Sequence, residues 1–141
     1  MTTEHKSKQI DLIFKDYYSG TIENRIKLRR IDLSFSGSVD ENIGGGRKQN
    51  EHPRVQDNRI IKEESDNEMN RLKHNLKVLE IFNESLIESD KKLMAAHYSD
   101  RNYLTWSQIS FLINKSESMC HKDLNRLKKT FDDEYLKFYL A

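Results

Sequence analysis

The sequence predicts an all-α protein: long N-terminal helices joined by a glycine-rich loop, then a C-terminal tri-helical helix-turn-helix domain. Three observations lead there. The hydrophobic fraction is 35% and the charged fraction 33%, enough for one-sided apolar stripes but for few segments buried on every side. Apolar residues recur mostly at spacings of three to five, the period of helices. Residues 34–53 lack any period and gather Gly, Ser, Asn and Pro, the composition of a connecting loop. A length of 141 residues suits one domain with a helical extension, so a helical region over 1–88 and a helix-turn-helix domain over 89–141 are expected.

From Lys6 to Leu33, the residues Ile10, Ile13, Phe14, Tyr17, Ile22, Ile26 and Leu33 mark one buried stripe of a long helix. Gly20 lies inside it and is the expected kink or break, since a mid-helix glycine costs about 1 kcal/mol relative to alanine. The loop at 34–53 follows as a mobile hinge. From Val55 to Glu88, Met69, Leu72, Leu76, Leu79 and Leu86 occupy heptad a and d positions, with Asn83 at the remaining a position. Such a narrow seam packs on the first helix or on the same seam of a second copy, giving a homodimer through 55–88 in which Asn83 fixes register. Beyond Ser89 the helices shorten, to about 90–98, 105–113 and 116–131.

No run approaches the roughly 20 apolar residues of a membrane span, and MTTEHKSKQ lacks the apolar stretch of a signal peptide. A soluble cytoplasmic protein with no membrane partner is expected. The single cysteine, Cys120, has no internal disulfide partner, and no Cys/His spacing suits zinc. His5, His52, His74 and His97 are scattered, and no nucleophile, base and orienting group assemble. The expectation is no enzyme, no cofactor and no metal. Charge is uneven: residues 91–130 carry eight Lys and Arg against three Asp and Glu, whereas residues 51–90 carry six against ten.

The basic excess coincides with TWSQISFLINKSESMCHKDLNRLKKTF, from Thr105. Trp106, Ile109, Leu112 and Ile113 form the apolar face of a short helix that Thr105 caps. Asn114 and Lys115 make the turn, asparagine tolerating a left-handed backbone, and Ser116 caps the next helix. There Met119, Cys120, Leu124 and Leu127 face inwards. Ser118, His121, Lys122, Asn125 and Lys129 lie opposite, with donor groups suited to phosphates and base edges. Cys120 reads as a buried structural thiol, and Trp106 and Tyr98 as core anchors. Lys122 and Asn125 are the leading candidates for groove contacts, then Ser118 and His121; Ser107, Gln108, Lys115 and Lys129 would position the DNA backbone, and Ser116, the cap, is counted with the DNA-binding residues. Lys91, Lys92 and Arg101 flank the motif and are weighed as phosphate contacts or solvated charges.

SxxMCxxxLxRL, from Ser116 to Leu127, resembles the recognition-helix pattern of sigma factor region 4. DKKLMAAHYSDRNYLTWSQIS resembles the helices and aromatic-ended turn that precede it. With NIGGGRKQNEHP at Asn42 to Pro53, the whole chain is similar to the RinA-type activators of phage late genes. That resemblance implies sequence-specific binding to a promoter in double-stranded DNA inside a bacterial host cell, with host RNA polymerase as a second partner. His121 and Asp123 depart from a strongly basic recognition helix.

Other readings stand beside this one. GGGRK has exposed amides and a lysine, but the spacing GxxxxGK[ST] and a preceding strand are absent; Arg47 and Lys48 could serve as a loose arm on DNA. Asp132, Asp133 and Glu134 read as a solvated face or an acidic contact for a protein. A small terminase-like packaging component also joins a helix-turn-helix to oligomerising helices, and a tri-helical module can bind protein alone.

Overall fold

Glycine decides where the first helix ends. The structure, a computed structural model, describes residues 3–42, 61–99 and 104–141, which are helical with no strand among the described residues. In place of one long N-terminal helix there are two, α1 (Thr3–Tyr18) and α2 (Thr21–Asn42). They part at Gly20, whose φ of +81° lies in the left-handed region that glycine enters without steric cost. A Cβ there would meet nothing within 4 Å, so backbone conformation and not crowding favours glycine.

α2 continues to Asn42, so residues 34–42 are helix and not the expected loop. A helix already nucleated gains one backbone hydrogen bond per added residue, which offsets the poor propensity of Gly37. The remainder of that loop, with Gly44 to Gly46, Arg47 and Lys48, lies outside the described residues.

The helix expected over 55–88 is also divided. Residues 61–65 are helical, Asp66 is not, and α3 spans Asn67–Glu84. Asp66 starts α3 as a cap, its Oδ2 accepting from the Met69 N–H at 2.8 Å. The same carboxylate receives Arg29 at 2.7 Å. The Arg29 hydrogen bond first, and the Met69 N–H second, hold the Asp66 carboxyl down at about 2.

The chain forms two units, Met1–Thr21 with Asn75–Ala141, and Ile22–His74. This division departs from the expected boundary after residue 88, and an aromatic core gives the reason. In the first unit α1 and the end of α3 share their interior with α4 (Glu88–Tyr98), α5 (Trp106–Ile113), α6 (Glu117–Glu134) and α7 (Leu136–Leu140). The Phe14 ring stacks on Phe82 at 5.4 Å and meets the edges of Phe131 and Tyr98 at 5.1 and 5.5 Å. Phe14, Phe82 and Phe131 are completely buried. Asp11 of α1 accepts from the Tyr98 hydroxyl of α4 at 2.6 Å and pairs with Lys128 of α6 at 2.7 Å, so one carboxylate ties three helices together.

The α3 seam finds partners inside the chain. Met69 and Leu79 are fully buried, while Leu72, Leu76 and Leu86 are half-buried. Val78 and Phe82, outside the expected heptad positions, are buried in their place. Asn83 accepts from the Tyr18 hydroxyl at 2.8 Å, a partner its assignment to a dimer register did not anticipate. In the other unit, Arg29 and Arg30 of α2 pair with Asp66 and Glu63. No described helix is long and apolar enough to cross a membrane.

Candidate nucleic-acid interface

Two capped helices and a left-handed turn build the site. The Thr105 hydroxyl accepts from the Gln108 N–H at 3.2 Å, and the Gln108 side chain accepts from the Thr105 N–H at 2.9 Å. This reciprocal box satisfies two of the amides that a helix start leaves without partners. α5 ends at Asn114, with φ 62° and ψ 43°, and the Ser110 hydroxyl donates to the Lys115 carbonyl to close the turn. Ser116 then caps α6, its hydroxyl accepting from the Met119 N–H at 3.1 Å. Removing that cap by Ser116→Ala is expected to cost about 1 kcal/mol in urea unfolding, and Ser116→Asn to restore most of it.

The helices cross on Ile109, Cys120 and Leu124, which are 0%, 1% and 5% exposed. Burial pushes the Cys120 thiol up, with Asp123 adding to it, which suits an inert structural side chain. Leu112 and Met119 were expected in this core and are instead 56% and 45% exposed. Successive side chains turn by about 100°, so Cys120 takes the inward position and Met119 beside it turns away. Phe111 stands furthest out, at 90%.

Three aromatic rings cover one end of the crossing. Trp106 lies between His97 and His121, with centroids 4.6 and 3.9 Å away. Burial holds His97 below its ordinary 6.5; Lys128 and His121 push the same way and Asp11 opposes them. The unfolded chain therefore binds the proton first as pH falls, and stability falls below about pH 6.5 until the folded-state value is passed. Melting at pH 7.5 and 5.5 checks this: acid should lower the melting temperature of the parent more than that of His97→Gln.

Ion pairs separate positioning charges from available ones. Lys115 bonds Asp123 at 2.9 Å, so a residue expected on DNA phosphate is engaged within the motif. The same pair accounts for the acid in the recognition helix. Arg126, of the arginine-leucine pair, bonds buried Asp90 of α4 through both carboxylate oxygens, at 3.0 and 3.1 Å. Gln108 and Ser116 remain exposed while their side chains serve as caps. His121 is exposed where it lies tilted against Trp106, and Ser107, Ser118, Lys122, Asn125 and Lys129 are exposed. Among the described residues Lys122 and Lys129 make no ion pair. Lys91 approaches Glu88 at 3.7 Å, Lys92 is exposed, and Arg101 lies outside the described residues.

A family model described as a protein of unknown function (DUF722) matches residues 6–133. The chain belongs to this family. The DUF722 span includes α1 from Lys6 and every candidate DNA-facing residue. No curated protein and no solved structure matches the chain.

In this DUF722 chain α1 stands against α6, and a cleft of about 470 Å³ opens beside the C-terminal half of α6. Lys6 and Ser7 of α1 share it with Asn125 and Lys129, and with Asp132 and Asp133. Under the boundary expected after residue 88, α1 with Lys6 and Ser7 falls in a different domain from α6. Its apolar period shows that α1 has a buried face, but a period carries no information about which helix covers that face.

Proposed function

We propose that this chain is a sequence-specific regulator of transcription that binds double-stranded DNA, a phage late-gene activator acting at a promoter with host RNA polymerase. The observation that carries the reading is the outer face of α6. Ser118, Lys122, Asn125 and Lys129 follow one another at helical spacing, exposed, on the side opposite buried Cys120, Leu124 and Leu127. From Ser118 to Lys129 the face extends about 16 Å along the axis, and a helix of this kind fits the roughly 12 Å wide major groove. Asn125 has the amide that pairs with adenine, and Lys122 the ammonium that pairs with guanine or phosphate. The capped turn before Ser116 sets the angle at which α6 is presented, as in helix-turn-helix readers. The resemblance to sigma region 4 and to the RinA-type activators supports the same choice, and with it a site of action in the cytoplasm of a bacterial host.

The test is selection of bound fragments from the native genome, followed by titration of the enriched duplex at several salt concentrations. Specific retention, with log K falling linearly against log salt, is expected. Absence of any retention at low salt would reject the proposal. A second reading, a module that binds protein alone, is favoured by Phe111, Leu112 and Met119, which are exposed on the same two helices. It predicts no shift of any duplex.

A further inference from the structure

We propose that α1 is a second DNA-contacting element, in which Lys6 takes a backbone phosphate next to those met by α6. This rests on the DNA-binding reading above and extends it to a helix far from the motif in sequence. Three contacts hold α1 along α6: Ser7 accepts from the Lys128 ammonium at 3.0 Å, Asp11 pairs with the same ammonium at 2.7 Å, and Phe14 meets Phe131 at 5.1 Å. They are spaced about one helical turn apart along α1. Lys6 therefore sits on a helix already fixed beside Asn125 and Lys129, and little backbone ordering remains to be done when it meets a phosphate.

The charges around the cleft divide by availability. Lys128 is 14% exposed and matched by Asp11, so its charge is spent inside the fold. Lys6 and Lys129 are exposed and make no ion pair among the described residues. Asp132 and Asp133 line the same cleft, and they repel phosphate. Asn125 and Asp132 are two turns apart on α6, about 10 Å along the axis. Lys129 lies one turn from the carboxylates and Asn125 two turns, so the proposed phosphate track runs past Lys6, Asn125 and Lys129 and is disfavoured beyond Lys129, where Asp132 and Asp133 follow. Charge repulsion at one end and attraction at the other orients the strand as well as holding it.

Lys8 supplies an internal comparison, because it is an exposed lysine on α1 that does not line the cleft. Fluorescence anisotropy of the parent, Lys6→Ala, Lys6→Arg and Lys8→Ala is measured across a salt series, on the genome-selected duplex and on an unrelated one. Lys6→Ala should weaken both duplexes alike, by about five- to tenfold at 0.1 M salt, and reduce the salt slope of log K by about one unit. Lys6→Arg should keep the slope of the parent, and so should Lys8→Ala. Two results would overturn the inference: an unchanged slope in Lys6→Ala when the parent binds, or an equal loss in Lys8→Ala, which would indicate diffuse charge along α1. Failure of the parent itself to bind DNA is a failure of the functional reading, seen before any variant is made, and α1 contacts fall with it.

Discussion

Phe131→Ala should lower the stability of the unit built from Met1–Thr21 and Asn75–Ala141 by about 4 kcal/mol, within the range for removing a buried phenylalanine. The ring is completely buried. It meets Phe14 and Phe82 edge-on at 5.1 and 5.3 Å and lies parallel to Tyr135 at 6.0 Å, so the substitution leaves a cavity and removes aromatic pairs worth about 1 kcal/mol each. Against a total stability of about 5 to 15 kcal/mol for a domain, such a loss brings the variant close to unfolding. With a urea m-value of about 2 kcal/mol/M, the midpoint should fall by roughly 2 M. Phe111→Ala is the comparison, because Phe111 is 90% exposed and a surface change of this kind stays within about 0.5 kcal/mol. Equal midpoints for the two variants would show that the cluster around Phe14 and Phe82 is not the core of this unit.

That contrast shows what a sequence can and cannot reveal about this fold. Thr105, Asn114 and Ser116 were legible because caps and left-handed turns are local: the side chain bonds an amide three residues on, and the neighbours settle the outcome. Ile109, Cys120 and Leu124 were legible because two adjoining helices with complementary stripes have few ways to cross. Leu112 and Met119 were misassigned at the edges of those stripes, where one residue turns the side chain by about 100°. Asp66 was hidden because the helix expected over 55–88 runs through it, although the named heptad positions begin only at Met69. The contact of α1 with α3 was one of the two packings the seam allowed, whereas its placement against α4 and α6 was not legible. Asp11 and Lys128, like Phe14 and Phe131, are separated by more than a hundred residues of chain, and nothing local records that they meet.

Ion pairing within the fold also explains how α6 can carry acids and still present cations on its outer face. Asp123 bonds Lys115 at 2.9 Å and approaches Arg126 at 3.6 Å, and Arg126 continues to buried Asp90. These charges brace the turn and join α6 to α4. Their partners are inside the fold, so the outer face keeps Lys122 and Lys129 as its cations. A recognition helix judged by net charge alone would miss this division.

Asn125→Ala and Lys129→Ala should separate reading from holding on that outer face. Both residues are exposed, and both line the cleft beside α1, so each can be changed without a cavity. An amide that bonds a base edge contributes only where the right base is present: Asn125→Ala should cost about 1 to 3 kcal/mol on the selected duplex and much less on unrelated DNA, with the salt slope nearly unchanged. An ammonium on phosphate contributes on every sequence by releasing a counterion. Lys129→Ala should weaken both duplexes alike and reduce the slope by about one unit. Circular dichroism and melting are checked first, since either loss of function could otherwise be loss of fold. If both variants fold, and neither affinity nor salt dependence changes on any duplex, α6 is not the DNA-reading element, and exposed Phe111, Leu112 and Met119 become the surface to test against protein partners.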